Sequence, residues 1–387
     1  MTARFNARIQ QALLARKQQD GIRQLQPLLG GNQPYLERNG QGYFNFSSND
    51  YLGLATDKSL IQAWQHGLSL YGAGSGASPL VTGFSAAHER LEKTLCDWFG
   101  YPRAILFASG FSANQALLFT LLEKGDLLLQ DKLNHASLME AGRLSLATMK
   151  RFKHNDVQHL TQLLTESATC LVVTEGVFSM DGDCAPLAEI HQQVNQHAWL
   201  MVDDAHGVGV LGQQGRGSCE QAGIWPDILV VTFGKALGVA GAAILCRDEL
   251  GDYVTQFARH HVYSTAMPPA QAHAITHAIG MVQQQTWRRD KLAELAAVYD
   301  QALSPVAGFI ASQTPIKPFL LGSSQRAMTI AHHLRERGIW LTAIRPPTVP
   351  HGAARLRITL TTNHSIEQVK MMTQALMDTL EKYEWSR

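Results

Sequence analysis

Residues 228–247 read ILVVTFGKALGVAGAAILCR: two apolar runs joined by a glycine-rich turn that carries a single lysine, Lys235. Neither run alternates apolar with polar residues, the pattern of strands buried on both faces and so of a largely parallel sheet. AILFAS (104–109), CLVVTEG (170–176) and WLMVDDAHG (199–207) are runs of the same kind. Each ends in polar residues, and helical patterns lie between them, so the middle of the chain reads as an α/β domain. Ligands in such sheets sit outside the carboxyl ends of the strands.

The last ninety or so residues read differently. KPFLL (317–321), IWLTAI (339–344) and RLRITL (355–360) read as strands, SQRAMTIAHHLRERG (324–338) as a helix stopped by Gly338, and Ser365 with Gln368 as a capping box before a final helix. This predicts a small α+β unit. At the other end Phe5, Ile9 and Leu13 recur every four residues, giving an amphipathic helix with no secretory h-region. The expected organisation is an N-terminal arm (1–50), a large α/β domain (51–290) and a small C-terminal α+β domain (291–387), the arm joining the small domain or a partner subunit. Lys+Arg number 33 and Asp+Glu 32, which gives no electrostatic reason for a nucleic acid or an anionic membrane as partner. No run of about 18 apolar residues suggests a membrane span. Five cysteines with no C-x-x-C pair predict reduced thiols in a cytoplasmic protein. There are 16 histidines but no H-E-x-x-H, and His332 and His333 are helical neighbours expected to point apart, so no metal is expected.

Four strand ends carry groups able to do chemistry: Ser109-Gly110-Phe111, Glu175 to Ser179, Asp203 to His206, and Thr232 to Lys235. Lys235, among apolar residues and glycines, is a desolvated amine suited to imine formation, or a lysine snorkelling out of a loop. Asp203 ends a strand three residues before His206; it could hold a pyridinium nitrogen protonated, or simply shape a turn. Asp204, on the opposite face, keeps the turn or capping role. SGFSAN (109–114) passes from strand to helix, and Gly110 lets amides face an anion there. His135 in NHAS could stack on a flat cofactor and exchange protons, or stand solvated in a loop. Arg355 and Arg357 share one strand face and suit a carboxylate, or a solvated face equally well. GVGVLG (207–212) matches G-x-G-x-x-G, but QQGRG rather than a helix follows, so it is not read as a dinucleotide site.

Taken in order, NFSSNDYLGL (45–54), SGFSAN, NHAS, EGVFSMDGD (175–183), VDDAHGVGVLG (202–212), TFGKALGVAGA (232–242), YSTAMPP (263–269) and RPPTVP with RLRITLT (345–361) resemble the α-oxoamine synthases. These are fold-type I pyridoxal-phosphate (PLP) enzymes with a mainly parallel sheet in a large domain. RPPTVP, the arm and HNDV (154–157) resemble the biotin-pathway branch of that family. The resemblance implies that Lys235 forms the Schiff base, Asp203 pairs with the pyridine nitrogen, His206 bonds the phenolic oxygen and His135 stacks on the ring. Gly110, Phe111, Ser179 and Thr232 would surround the cofactor. Ser264 and Thr265 would reach the phosphate in the neighbouring subunit of a homodimer. Arg23, Asn49, Thr348 and Arg357 would face substrate, as would His135, with Arg357 on the amino-acid carboxylate. The implied reaction is decarboxylative condensation of L-alanine with a pimeloyl thioester, carried on coenzyme A or on a carrier protein. The alternatives are a relative using glycine or serine with another acyl-CoA, an aminotransferase, and a non-catalytic binding subunit. In GAGSGASPL (72–80) Pro79 replaces the arginine of many relatives, which bears on contacts to the acyl donor.

Overall fold

The computed structural model describes residues 2–18, 21–22, 25–164, 169–194 and 197–383. Its strands in chain order are β1 (Tyr35–Arg38), β2 (Gln41–Asn45), β3 (Arg103–Phe107), β4 (Leu127–Asp131), β5 (Thr148–Phe152), β6 (Cys170–Glu175), β7 (Trp199–Asp203), β8 (Ile228–Thr232), β9 (Ala242–Cys246), β10 (Ile316–Gly322), β11 (Ile339–Trp340), β12 (Thr342–Ile344) and β13 (Ala354–Thr359). Seven form one sheet in the order β3-β9-β8-β7-β6-β4-β5. The second run of the opening stretch, β9, lies antiparallel to both β8 and β3; the other pairings are parallel.

The non-alternating sequence has a simple cause: β4, β6, β8 and β9 are buried at every position. Successive side chains feed two cores. Ile228 and Val230 pack on one face of the sheet, Leu229 and Val231 on the other. The outer strand β5 is mostly exposed and carries Lys150 and Arg151, which blunt a free edge. Because β5 lies on one side of β4 and β6 on the other, the strand order reverses at β4. The carboxyl ends of β4, β6, β7 and β8 therefore open at a switch point, where ligands bind in such sheets.

A further core gathers Phe46, Leu295, Tyr299, Phe319, Leu356, Ile358 and Leu376 around the antiparallel sheet β10-β13-β12. Here the expected strand 339–344 is in fact two. β11 pairs parallel with β2, whereas β12 pairs with β13. Leu341, fully buried between them, is where the chain changes sheets. The ends of the chain are thus sewn together: Phe44 donates its N–H to Gly338 O at 2.8 Å, and His364 Nε2 donates to Asn45 O at 3.0 Å. The N-terminal helix Thr2–Gln18 forms as the periodicity predicts, with Phe5, Ile9 and Leu13 more than half exposed. Among the described residues no helix is long and apolar enough to cross a membrane.

One buried charge supports this smaller core. Lys317 is fully buried, and its Nζ donates to both oxygens of Asp300 at 3.1 Å and to Ser312 O at 2.6 Å. Asp300 is the more exposed partner, so the two deletions are unequal. Asp300→Ala strands an ammonium in the core and should cost about 3 kcal/mol. Lys317→Met leaves a carboxylate that water can solvate and should cost about 1 kcal/mol or less. Urea unfolding of the two variants checks the inequality.

Candidate active site

A cavity of about 390 Å³ opens at the switch point. Its wall includes Asn49, Gly110, Phe111, His135, Glu175, Asp203, His206, Thr232 and Lys235, so four distant strand ends meet at one place. Arg23 lies outside the described residues.

Asp203 ends β7 and is buried. Its Oδ2 accepts from Asn114 Nδ2 at 2.7 Å and its Oδ1 from Ala205 N at 3.1 Å, which fixes the carboxylate toward the cavity. Asp204 turns the other way and accepts from the N–H and Oγ of Ser218 at 2.7 Å each; burial raises its pKa to about 7. Lys235 is half-buried and opens onto the cavity. Desolvation lowers its pKa, against the pull of Asp203 and Glu175, which favours the neutral amine.

His206 is buried, and desolvation first, then the nearby basic groups Lys235 and Arg357, push its pKa well down. Its Nδ1 lies 2.6 Å from the hydroxyl of the fully buried Tyr51. Burial raises the Tyr51 pKa to about 12, so the phenol keeps its proton, and its nearer acceptor is His206 Nδ1 rather than Asn49 Oδ1 at 3.4 Å. A neutral His206 whose Nδ1 accepts must carry its proton on Nε2. His135 is exposed at the cavity and caps the helix Ala136–Leu144, with Ser137 N donating to its Nδ1 at 3.2 Å. The same logic makes His135 a neutral Nε2–H donor, in keeping with its lowered pKa.

The helix Gly110–Leu121 begins at the cavity, capped by the Ser109 side chain. A Cβ at Gly110 would stand 2.6 Å from Thr232 Cγ2, so only glycine lets this helix end lie against β8. Thr232 Oγ1 is buried without a partner among the described residues. Two amides at a helix start beside an orphaned hydroxyl make a phosphate cradle. With Asp203 and a depressed lysine in the same cavity, the residues present fit PLP.

Other implied site residues lie off the cavity wall. Ser179 follows β6 and turns away; its carbonyl accepts from Arg357 Nε at 2.6 Å. Arg357 is buried, with Nη2 on Asn49 Oδ1 at 3.1 Å, and so touches the cavity only through Asn49. Arg355 instead pairs with Asp181, so the two arginines are both buried rather than forming a solvated face. Thr348 is exposed in a loop beyond β12. Ser264 and Thr265 line a separate cleft with Pro79, Phe84 and His88. GVGVLG is a run of turns, as its lack of a following helix implies. His332 and His333 do not point fully apart: both reach Glu336, at 3.3 and 2.7 Å, because it stands three and four residues on.

Two site residues escape a reading of single positions: Tyr51 and Asn114. Each lies inside a motif quoted above. Asn114 is four residues after Gly110, one helical turn, and therefore on the same inward face. Glu175 is buried opposite Asp203 in the β6–β7 register, with Oε1 unpartnered among the described residues. Burial, then the nearby Asp203, raises its pKa well above the carboxylate range, so it stands as a neutral acid.

Comparison with known proteins extends this picture. Residues 41–376 match the family described as aminotransferase class I and II. The 8-amino-7-oxononanoate synthase of Vibrio cholerae is 66% identical over 99% of this chain and 100% of its own. Among solved structures, a serine palmitoyltransferase from S. paucimobilis with PLP and myriocin bound superposes with a TM-score of 0.89 at 26% identity, over 96% of this chain and 97% of that one. An 8-amino-7-oxononanoate synthase from Francisella tularensis gives a TM-score of 0.79 at 29% identity, over 89% of this chain and 99% of that one.

Proposed function

We infer, from the premise that this chain belongs to the aminotransferase class I and II family and within it to the 8-amino-7-oxononanoate synthases, how its own residues divide the labour of that PLP-dependent reaction. The reaction, a step of biotin biosynthesis, joins L-alanine to a pimeloyl thioester and gives 8-amino-7-oxononanoate, carbon dioxide and free thiol. Bound PLP supplies an electron sink for negative charge at the α-carbon of the amino acid.

Lys235 would hold the cofactor and supply the neutral amine that takes the α-proton. Asp203, steadied by Asn114, would keep the ring nitrogen protonated, while Glu175 retains its own proton and so adds no second buried negative charge. The Gly110 and Phe111 amides and the Thr232 hydroxyl would take the phosphate. His206 would donate from Nε2 to the phenolic oxygen, its ring oriented by the contact with Tyr51. His135 would pack against the cofactor and offer its Nε2–H to the oxyanion that develops at the thioester carbonyl. Arg357 and Asn49 receive the amino-acid carboxylate, with Arg23 and Thr348 further along the substrate path and Ser179 steadying Arg357. Ser264 and Thr265 reach the phosphate held by a second copy in a homodimer; the exposed Leu80, Val81, Phe84 and Tyr263 beside them support an apolar interface there. Five free cysteines support a cytoplasmic setting.

The observation that carries this division is the meeting of Lys235, Asp203, His206 and His135 with a helix start in one cavity. Free-thiol release by the PLP-loaded protein tests it, with L-alanine plus pimeloyl-CoA set against glycine plus acetyl-CoA. Thiol from the first pair alone, with a product of the mass of 8-amino-7-oxononanoate, is the expected result. Thiol from the second pair alone would move the substrate to another α-oxoamine synthase. Silence with both calls for pimeloyl carrier protein as donor.

Tyr51→Phe removes one hydrogen bond to His206 without changing the shape of the core. Turnover should fall about tenfold, the size of one such bond in a buried site. The pH titration of the cofactor absorbance should shift with it.

A further inference from the structure

Outside the cavity, His154 is held between two carboxylates. Its Nδ1 donates to Asp131 Oδ1 at 3.0 Å and its Nε2 to Asp183 Oδ2 at 2.7 Å. A carboxylate only accepts, so both ring nitrogens carry protons and the imidazole is a cation. Burial opposes that charge, but the two carboxylates outweigh it and raise the pKa to about 10. Phe178 meets the ring edge-on with centroids 4.4 Å apart. Asn155, in the left-handed region at φ 54°, doubles the link, its N–H on Asp131 Oδ2 and its Nδ2 on Asp183 Oδ2, each at 2.9 Å.

Each carboxylate begins a line toward the site. Asp131 ends β4 and accepts from Leu133 N at 2.8 Å, which shapes the turn that delivers His135. Asp183 ends residues 176–183, the segment whose Ser179 carbonyl binds Arg357 Nε and whose Asp181 pairs with Arg355. The Gly182 carbonyl in the same segment accepts from Ser312 and Thr314 at 2.8 and 2.9 Å. The segment therefore joins the large sheet to the β10-β13-β12 sheet, and His154 fastens its end.

We propose that His154 is a positioning residue, a cationic clasp that locks the strand end bearing His135 to the segment that aims Arg357, and so sets the fit of the amino-acid carboxylate. This rests on the reading of Arg357 given above. Without the cation, Asp131 and Asp183 are like charges with only Asn155 between them, and their repulsion moves the segment and the Ser179 carbonyl with it.

The test uses the PLP-loaded protein and follows the change in cofactor absorbance as L-alanine is added. His154→Asn and, as a milder change, Asp183→Asn are compared with Arg357→Lys. Both clasp variants should raise the L-alanine Kd about tenfold to a hundredfold, the cost of a misplacement near 1 Å, with resting PLP content and the KM for pimeloyl-CoA within about twofold of wild type. The double variant should be no worse than the single ones, since both break one device. An unchanged Kd in the clasp variants, with Arg357→Lys weakened, overturns the clasp and leaves the Arg357 reading intact. Equal losses of PLP, L-alanine and acyl-donor binding also overturn it, because they mark a role in folding alone. An unchanged Kd in Arg357→Lys overturns the Arg357 reading and the clasp together.

Discussion

Lys235→Ala should reduce thiol release by about four orders of magnitude or more while the protein stays folded. Two functions go at once: the covalent hold on the cofactor and the amine that moves the α-proton, the latter alone worth about 10²–10⁴-fold. The fold should tolerate the change, since desolvation already lowers the lysine's pKa. Truncating it is therefore expected to alter stability by about 1 kcal/mol or less. Two measurements separate these effects. Borohydride treatment followed by mass measurement should fix the cofactor to the wild-type chain and not to the variant, and thermal unfolding should be little changed. A variant retaining near wild-type turnover would remove Lys235 from the mechanism.

Asp203→Asn should have the second largest effect, a loss of about 10²–10³-fold in kcat. The substitution is nearly isosteric, but the amide supplies no negative charge to keep a ring nitrogen protonated. It also spoils the local bonds. Both carboxylate oxygens accept, from Asn114 Nδ2 and from Ala205 N, and an amide can accept at only one of them. Its NH₂ must face another donor. PLP content and cofactor absorbance, read beside kcat, distinguish lost electron withdrawal from lost binding. Full PLP content with kcat near wild type would show that Asp203 does not govern the ring.

The large sheet was legible because a strand buried on both faces writes itself as an unbroken apolar run, as ILVVT and AAILC do. What those runs do not encode is direction. β9 follows a tight glycine turn, and nothing in its composition marks it as antiparallel to both neighbours. The residues that end strands at the cavity were legible for a related reason: Lys235, Asp203 and Glu175 are polar groups closing apolar runs, and the strand order decides where such ends meet. Tyr51 and Asn114 were not singled out because their roles are relational. Tyr51 matters through a bond to a residue 155 positions away, and no local pattern records that. The division of residues 339–344 between two sheets was hidden likewise, since Leu341 at the crossing is as apolar as its neighbours.

That division has a consequence for how the polypeptide comes off the ribosome. Strand β2 waits for β11, and Ser47 waits for Thr342, 295 positions later, to which it hydrogen-bonds at 2.9 Å. At elongation rates of about 5–20 residues per second the delay is roughly 15–60 s. The seven-stranded sheet, complete by residue 246, can fold within that interval. Until then β2 has only its hairpin partner β1, and Phe46, whose core neighbours lie at Leu295 and beyond, is open to any nascent-chain-binding factor. Vectorial synthesis thus sets the order of assembly, and a shortened or permuted gene that brought residues 41–45 and 339–340 together sooner should shorten that exposure.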